Sequence, residues 1–147
     1  MTMAPEYAAT RPAAASRGRR LLAPLGVVLG AGAVLGVLAV VDPIEPGHYP
    51  TCPWLALTGT YCPGCGTLRA LHALTQGDLM TAVAHNPLTV VASLWLFLWF
   101  LTWVHRQWTG RQRTTMVHPR VLYALVVLIV AFWVLRNVPG FGFLGPV

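Results

Sequence analysis

Apolar residues run along this chain in three long stretches that alternate with shorter polar segments, a pattern of neither alternating strand nor one-faced surface helix. Residues 21–41, "LLAPLGVVLGAGAVLGVLAVV", hold no charge, and a helix needs roughly 20 such residues to cross the hydrocarbon core. Residues 88–104 add 17 uncharged positions rich in Leu, Phe and Trp, and residues 121–135 add 15 dominated by Val and Leu. The last run is short. Arg120 and Arg136 at its two ends extend it, by laying their stems along the helix and lifting their guanidinium groups to the two interfaces. The pattern predicts an all-α membrane protein with three transmembrane helices, at about 21–41, 88–104 and 120–136.

The 42–86 loop between the first two spans is strongly punctuated. "DPIEPGHYPTCPW", residues 42–54, has four prolines and a glycine, which predicts an irregular path out of the first helix. Residues 67–76 then read as a short helix, with Gly77 in the left-handed cap position. Asp78 is the N-cap of a second short helix ending at His85. Asn86 caps the second span, and Pro87 occupies its first turn, where a missing N–H costs nothing. The two short helices carry Leu68, Leu71, Leu74, Leu79 and Val83 among few charges, which predicts a lid lying along the membrane interface. A fourth span made from them is disfavoured, because Arg69, His72, Asp78 and His85 would all need partners in lipid.

Composition agrees with this division. Hydrophobic residues make up 56% of the chain and charged residues 10%, whereas about a quarter of the residues of soluble domains are charged. Residues 21–147 therefore form one small membrane domain, preceded by a disordered tail over 1–20 that is rich in Ala, Pro and Arg. A cleaved signal is disfavoured, since the first apolar run exceeds a signal's core of about 7–15 residues and ends at "LAVVDP" without a small-x-small site. All ten basic residues are arginine, and their placement orients the chain. Arg11, Arg17, Arg19 and Arg20 precede the first span, and Arg106, Arg111, Arg113 and Arg120 lie around the second connection, while the 42–86 loop has only Arg69. By the positive-inside rule the tail and the second connection are cytoplasmic and the cysteine loop is extracytoplasmic. The net charge of +6 follows from topology and calls for no nucleic acid. The expected partners are the lipid bilayer, including its anionic headgroups, and a membrane protein.

Candidate chemistry is concentrated in "TYCPGCGTLRALHAL", residues 60–74. Cys62 and Cys65 share one tight turn, and Gly66 permits the positive φ that lets backbone N–H groups point at sulfur. With Cys52 they offer three of the four ligands tetrahedral zinc prefers, and His48 or His72 is the possible fourth. His72 is the poorer choice, because seven helical residues place it about 10 Å beyond Cys65. The same Cys-Pro-Gly-Cys pair at a helix start also fits a redox dithiol, with Cys62 as the attacking thiolate and Arg69 adding positive charge. The third alternative is a disulfide staple in an oxidising compartment. Cys65, Arg69, His72 and Gln76 fall on one helical face, which reads either as the wet side of an interfacial helix or as an anion site built on Arg69. The small-residue pairs Gly26/Gly30 and Gly32/Gly36 are expected to bring helices close within the bundle. His85, His105 and His118 stand at helix ends and read as interfacial.

The stretch "CPWLALTGTYCPGCGTLRALHALTQGDLMTAVAHNPL", residues 52–88, resembles the core of a bacterial membrane-protein family known only as a domain of unknown function. That family's pattern is Cys-Pro, then C-P-x-C-G-x-T-R-A, Gly-Asp, and Asn-Pro-Leu entering an apolar helix. It is matched by Cys52-Pro53, Cys62-Pro63, Cys65-Gly66, Arg69-Ala70, Gly77-Asp78 and Asn86-Pro87-Leu88. The threonine falls one place early, at Thr67, with Leu68 before the arginine. The resemblance implies a small integral protein of a bacterial inner membrane and brings no activity with it. The lid also lacks a carboxylate pair or a nucleotide loop. The expected function is that of a structural or accessory protein with an extracytoplasmic cysteine knuckle, held by metal or disulfide. The alternative is a membrane thiol-disulfide oxidoreductase using Cys62 and Cys65.

Overall fold

A computed structural model describes residues 16–45, 49–50, 52–110 and 118–140. Regular structure among them is entirely helical: α1 (Arg17–Val40), α2 (Pro53–Thr58), α3 (Thr67–Thr75), α4 (Leu79–His85), α5 (Pro87–Thr109) and α6 (Pro119–Leu135). Prolines open α2, α5 and α6 in their first turns, where φ is already suited to a helix. Glycines at positive φ end α2 at Gly59 (68°) and α5 at Gly110 (71°).

Both long helices exceed the limits read from the sequence. α1 starts at Arg17, so Arg17, Arg19 and Arg20 are helical, and residues 1–15 of the expected tail lie outside the described residues. α5 continues to Thr109 and takes in His105 and Arg106. By length and composition α1 and α5 are able to cross a membrane; α6, with 17 residues, is a shorter apolar helix, about 26 Å long at 1.5 Å per residue. α5 buries none of its residues, and Trp95, Trp99, Leu94 and Phe97 are each more than half exposed. A helix apolar on all sides belongs in a protein core or in lipid, and the other described elements leave most of this one exposed.

Apart from Pro24 near the start of α1, what is buried in the long helices and the elements against them lies at one end. Ala70, Ala73 and Ala82 are fully or nearly covered, together with Leu38 of α1, and these small side chains let α3 and α4 pack closely against α1 and α5. The polar face of α3 closes the C-terminus of α1: His72 Nδ1 meets the Leu38 carbonyl at 2.5 Å, and Gln76 Nε2 donates to the Ala39 carbonyl at 2.9 Å. These last-turn carbonyls have no partner within their own helix. The face expected to be in water thus terminates α1. At the opposite end the Arg17 guanidinium lies 5.5 Å from the Trp108 ring centre, and Arg20 packs so tightly on Gly110 that a side chain there would collide with it. The glycine pairs of α1 do not serve the packing expected of them, since a Cβ on Gly26, Gly30, Gly32 or Gly36 would meet nothing within 4 Å.

The short-helix punctuation follows the sequence. Gly77 has φ 79°, and Asp78 accepts from the Thr81 N–H at 3.0 Å and its hydroxyl at 2.6 Å. Those donors, the hydroxyl first, hold the Asp78 carboxyl below its usual pKa. A depressed carboxyl stabilises the fold above its unfolded pKa, and that stabilisation fades as acid protonates it. Asp78→Ala is expected to increase proteolytic cleavage between α3 and α4. Gly77→Val is expected to increase it further, because a branched residue at positive φ costs at least about 1–2 kcal/mol. Unchanged cleavage in both variants would contradict this account of the α3–α4 turn.

Candidate functional site

Cys52 precedes Pro53 as the N-cap of α2, a short helix in a segment expected to be irregular. Its Trp54 donates through Nε1 to Thr60 at 3.1 Å and packs edge-on against Trp133 of α6, with ring centres 5.5 Å apart. The chain returning from α2 is gripped by Asn137, just beyond α6. Tyr61 N–H donates to Asn137 Oδ1, and Asn137 Nδ2 donates to the Tyr61 carbonyl, both at 2.8 Å.

The Cys62–Cys65 turn follows. Cys65 N–H donates to the Cys62 carbonyl at 3.1 Å, Thr67 N–H donates to the Gly64 carbonyl at 3.0 Å, and Gly66 has φ 83°. This is the left-handed residue that the glycine after the second cysteine predicts. The turn's carbonyls point inward onto two buried donors. Asn86, fully buried, donates through Nδ2 to Pro63 O at 3.0 Å and Cys65 O at 3.1 Å. Its Oδ1 accepts from Thr89 N–H at 3.1 Å and caps α5, as the sequence predicts. Arg136 donates through Nη1 to Cys62 O and Pro63 O at 3.0 and 3.3 Å, and through Nη2 to Cys65 O at 3.2 Å. The Thr67 hydroxyl lies 2.9 Å from that of Thr89 and ties α3 to α5.

Arg136 corrects the sequence reading. Expected to lift its charge to an interface, it is 3% exposed and reaches back under the cysteine turn, where three carbonyls outcompete a solvated end. Phe132 and Tyr61 flank it, with ring centres 5.1 and 5.8 Å from the guanidinium carbon. The ionisable groups acting on its charge are Cys65, Cys62 and Tyr61. His85 ends α4, as expected, and is buried there. One signal for Arg136 was available. In a chain entering from the cytoplasm and crossing three times, an arginine at the end of the third span sits on the outer side, where the charge asymmetry leaves it unexplained.

The three sulfurs converge. Cys62 Sγ lies 3.6 Å from Cys52 Sγ and 3.2 Å from Cys65 Sγ, and all three fall within 4.8 Å of one another. Sulfurs around tetrahedral zinc stand about 3.8 Å apart, given Zn–S bonds near 2.3 Å, so the cluster has the size of an ion site. All three are free thiols in unlike surroundings. Backbone N–H donation from Leu55, at the start of α2, lowers the pKa of Cys52, and burial followed by hydrogen bonding to Cys62 pushes that of Cys65 up to about 12. Of these two, Cys52 is the more easily formed thiolate. A cavity of about 560 Å³ opens over the sulfurs, lined also by Glu45, Tyr49 and half-buried Arg69. Of the other candidates, His72 is turned onto α1 and His48 lies outside the described residues.

The fold and this site define a helical chain with two helices able to span a membrane and a three-cysteine cluster at one end of them. Residues 52–100 match a family described as a protein of unknown function, DUF2752. The match takes in the three cysteines, α2 to α4 and the first half of α5, and stops short of Arg136 and Asn137. No curated protein and no solved structure matches the chain.

Proposed function

We propose that this is a small integral protein of a bacterial cytoplasmic membrane, spanning it with α1, α5 and α6, and that Cys52, Cys62 and Cys65 form an extracytoplasmic metal knuckle. The knuckle holds α2, α3 and α4 as a lid, and the protein acts as an accessory subunit that presents this lid to a membrane-protein partner. The observation that carries the reading is the convergence of three sulfurs within 4.8 Å, two of them on a turn whose backbone is already fixed by Arg136 and Asn86. Charge supports it. Three thiolates around Zn²⁺ sum to −1, and the buried Arg136 guanidinium supplies +1 directly beneath, which lowers the cost of burying either charge alone. Zinc is the favoured ion because a thiolate-rich, near-tetrahedral set suits it. The bilayer provides the cover that α1 and α5 lack, and the arginines at their far end fit a cytoplasmic face.

One labelling experiment tests both halves of the reading. A membrane-impermeant maleimide, applied to intact cells before and after a zinc chelator, is expected to label the cysteines only after chelation, with about one zinc ion per purified chain. Labelling that requires lysis would overturn the orientation. Full labelling without the chelator, together with metal-free purified protein, would overturn the knuckle.

A second reading is favoured by one observation, the lowered pKa of Cys52 beside Cys62 at 3.6 Å. As a thiol-disulfide oxidoreductase the protein would attack a partner disulfide with Cys52 and resolve the mixed disulfide with Cys62.

A further inference from the structure

Resting on the metal reading above, we propose that the ion held by Cys52, Cys62 and Cys65 keeps its fourth coordination position for a small carboxylate that enters from the cavity, where Arg69 supplies the opposite charge. Among the described residues, no histidine nitrogen or carboxylate oxygen joins the three sulfurs within 4.8 Å of one another. His72 is held by the Leu38 carbonyl on α1. All three cysteines line the same cavity of about 560 Å³, a volume in the range of small-molecule sites. Three protein ligands with the remaining position accessible is the arrangement of zinc centres that exchange a water or a substrate, whereas purely structural zinc is closed by four protein ligands.

The cavity wall carries both signs, Arg69 and Glu45, and the guanidinium is the group that can pair with an entering anion. Arg69, in the first turn of α3, lines the cavity together with the three cysteines. A guanidinium presents a planar fork that matches a carboxylate. Arg136 is committed to three carbonyls beneath the turn, so the two arginines divide the work, one neutralising the thiolates and the other recruiting the ligand. Binding is an exchange without redox change: a carboxylate oxygen replaces a coordinated water, and the water leaves through the cavity.

Full-length protein in detergent, loaded with Co²⁺, provides the test. Thiolate-to-cobalt charge-transfer absorption reports that the cysteines hold the ion, and the visible d–d bands report its fourth ligand. Acetate and imidazole are each expected to shift the d–d bands saturably. Arg69→Gln is expected to weaken acetate binding about tenfold, the loss of one charge-assisted contact, while leaving imidazole binding unchanged. Bands that ignore both ligands in the wild type, with a response only in His48→Ala, would make His48 a fourth protein ligand and overturn the open position. Equal acetate affinity in Arg69→Gln and wild type would overturn the role of Arg69. Absence of charge-transfer absorption would instead remove the metal reading on which this proposal rests.

Discussion

Arg136→Leu is expected to release the cysteine turn and abolish stoichiometric zinc binding, although residue 136 touches no sulfur. The guanidinium makes three charge-assisted hydrogen bonds, to Cys62 O, Pro63 O and Cys65 O. Each carbonyl keeps one other donor, Cys65 N–H for the first and Asn86 Nδ2 for the other two, so removal weakens the turn without orphaning it. Hydrogen bonds to charged groups contribute about 1.5–3 kcal/mol each, and three sharing one side chain give a loss on the order of 3 kcal/mol or more. Electrostatics adds to this, because three thiolates on a dication then carry an unanswered negative charge in a buried place. Arg136→Lys separates the two contributions: an ammonium keeps the charge but cannot span three carbonyls. Lysine is expected to retain weakened zinc binding and leucine none, read as zinc per chain and as the rate of cysteine alkylation. Wild-type zinc content in Arg136→Leu would show that the sulfurs are organised without the arginine.

The sequence makes some of this architecture legible and hides the rest for a physical reason. Local punctuation is visible, because Gly66, Gly77, Asp78 and Asn86 act on their own neighbours and their residue types declare the backbone they need. The pairing of Cys52 with a turn ten residues later is visible as a possibility, since three cysteines are few enough to consider together. Contacts across the chain are not. Arg136 and Asn137 serve a turn 71 to 76 residues away, and nothing in the local pattern of an apolar helix ending in Arg-Asn says whether those groups seek water or a buried carbonyl. His72 and Gln76 mislead in the same way: a polar helical face looks solvated until another helix is found to end against it. The helix α2 is missed because its six residues are framed by prolines that ordinarily mark loops, although Pro53 at a first turn favours a helix start as well.

The cysteine substitutions have the largest expected effect on the proposed chemistry, and their pattern separates the two readings of the cluster. If the knuckle holds metal, Cys52→Ser, Cys62→Ser and Cys65→Ser are all expected to lose zinc and expose the lid to protease, because a three-sulfur site cannot spare a ligand. No partner should be trapped in any of them. Exchange chemistry predicts asymmetry, and the geometry says where. If Cys52, whose pKa is lowered, attacks, the thiol placed to resolve is Cys62, with its Sγ 3.6 Å away, so Cys62→Ser would accumulate a mixed disulfide through Cys52. Cys65, whose pKa burial and hydrogen bonding to Cys62 push up to about 12, would be almost entirely a thiol at pH 8 and contribute little. In metal-free protein at that pH, Cys52 is accordingly expected to alkylate before Cys65, a check on the surroundings of the two thiols that holds under either reading. Non-reducing gels with mass identification of any adduct decide between the readings, since a freed thiol also forms adventitious dimers. A specific protein adduct in Cys62→Ser alone, with zinc-free wild type, would replace the knuckle by a membrane thiol oxidoreductase; equal zinc loss in all three variants without an adduct is the outcome that three converging sulfurs over a buried arginine lead us to expect.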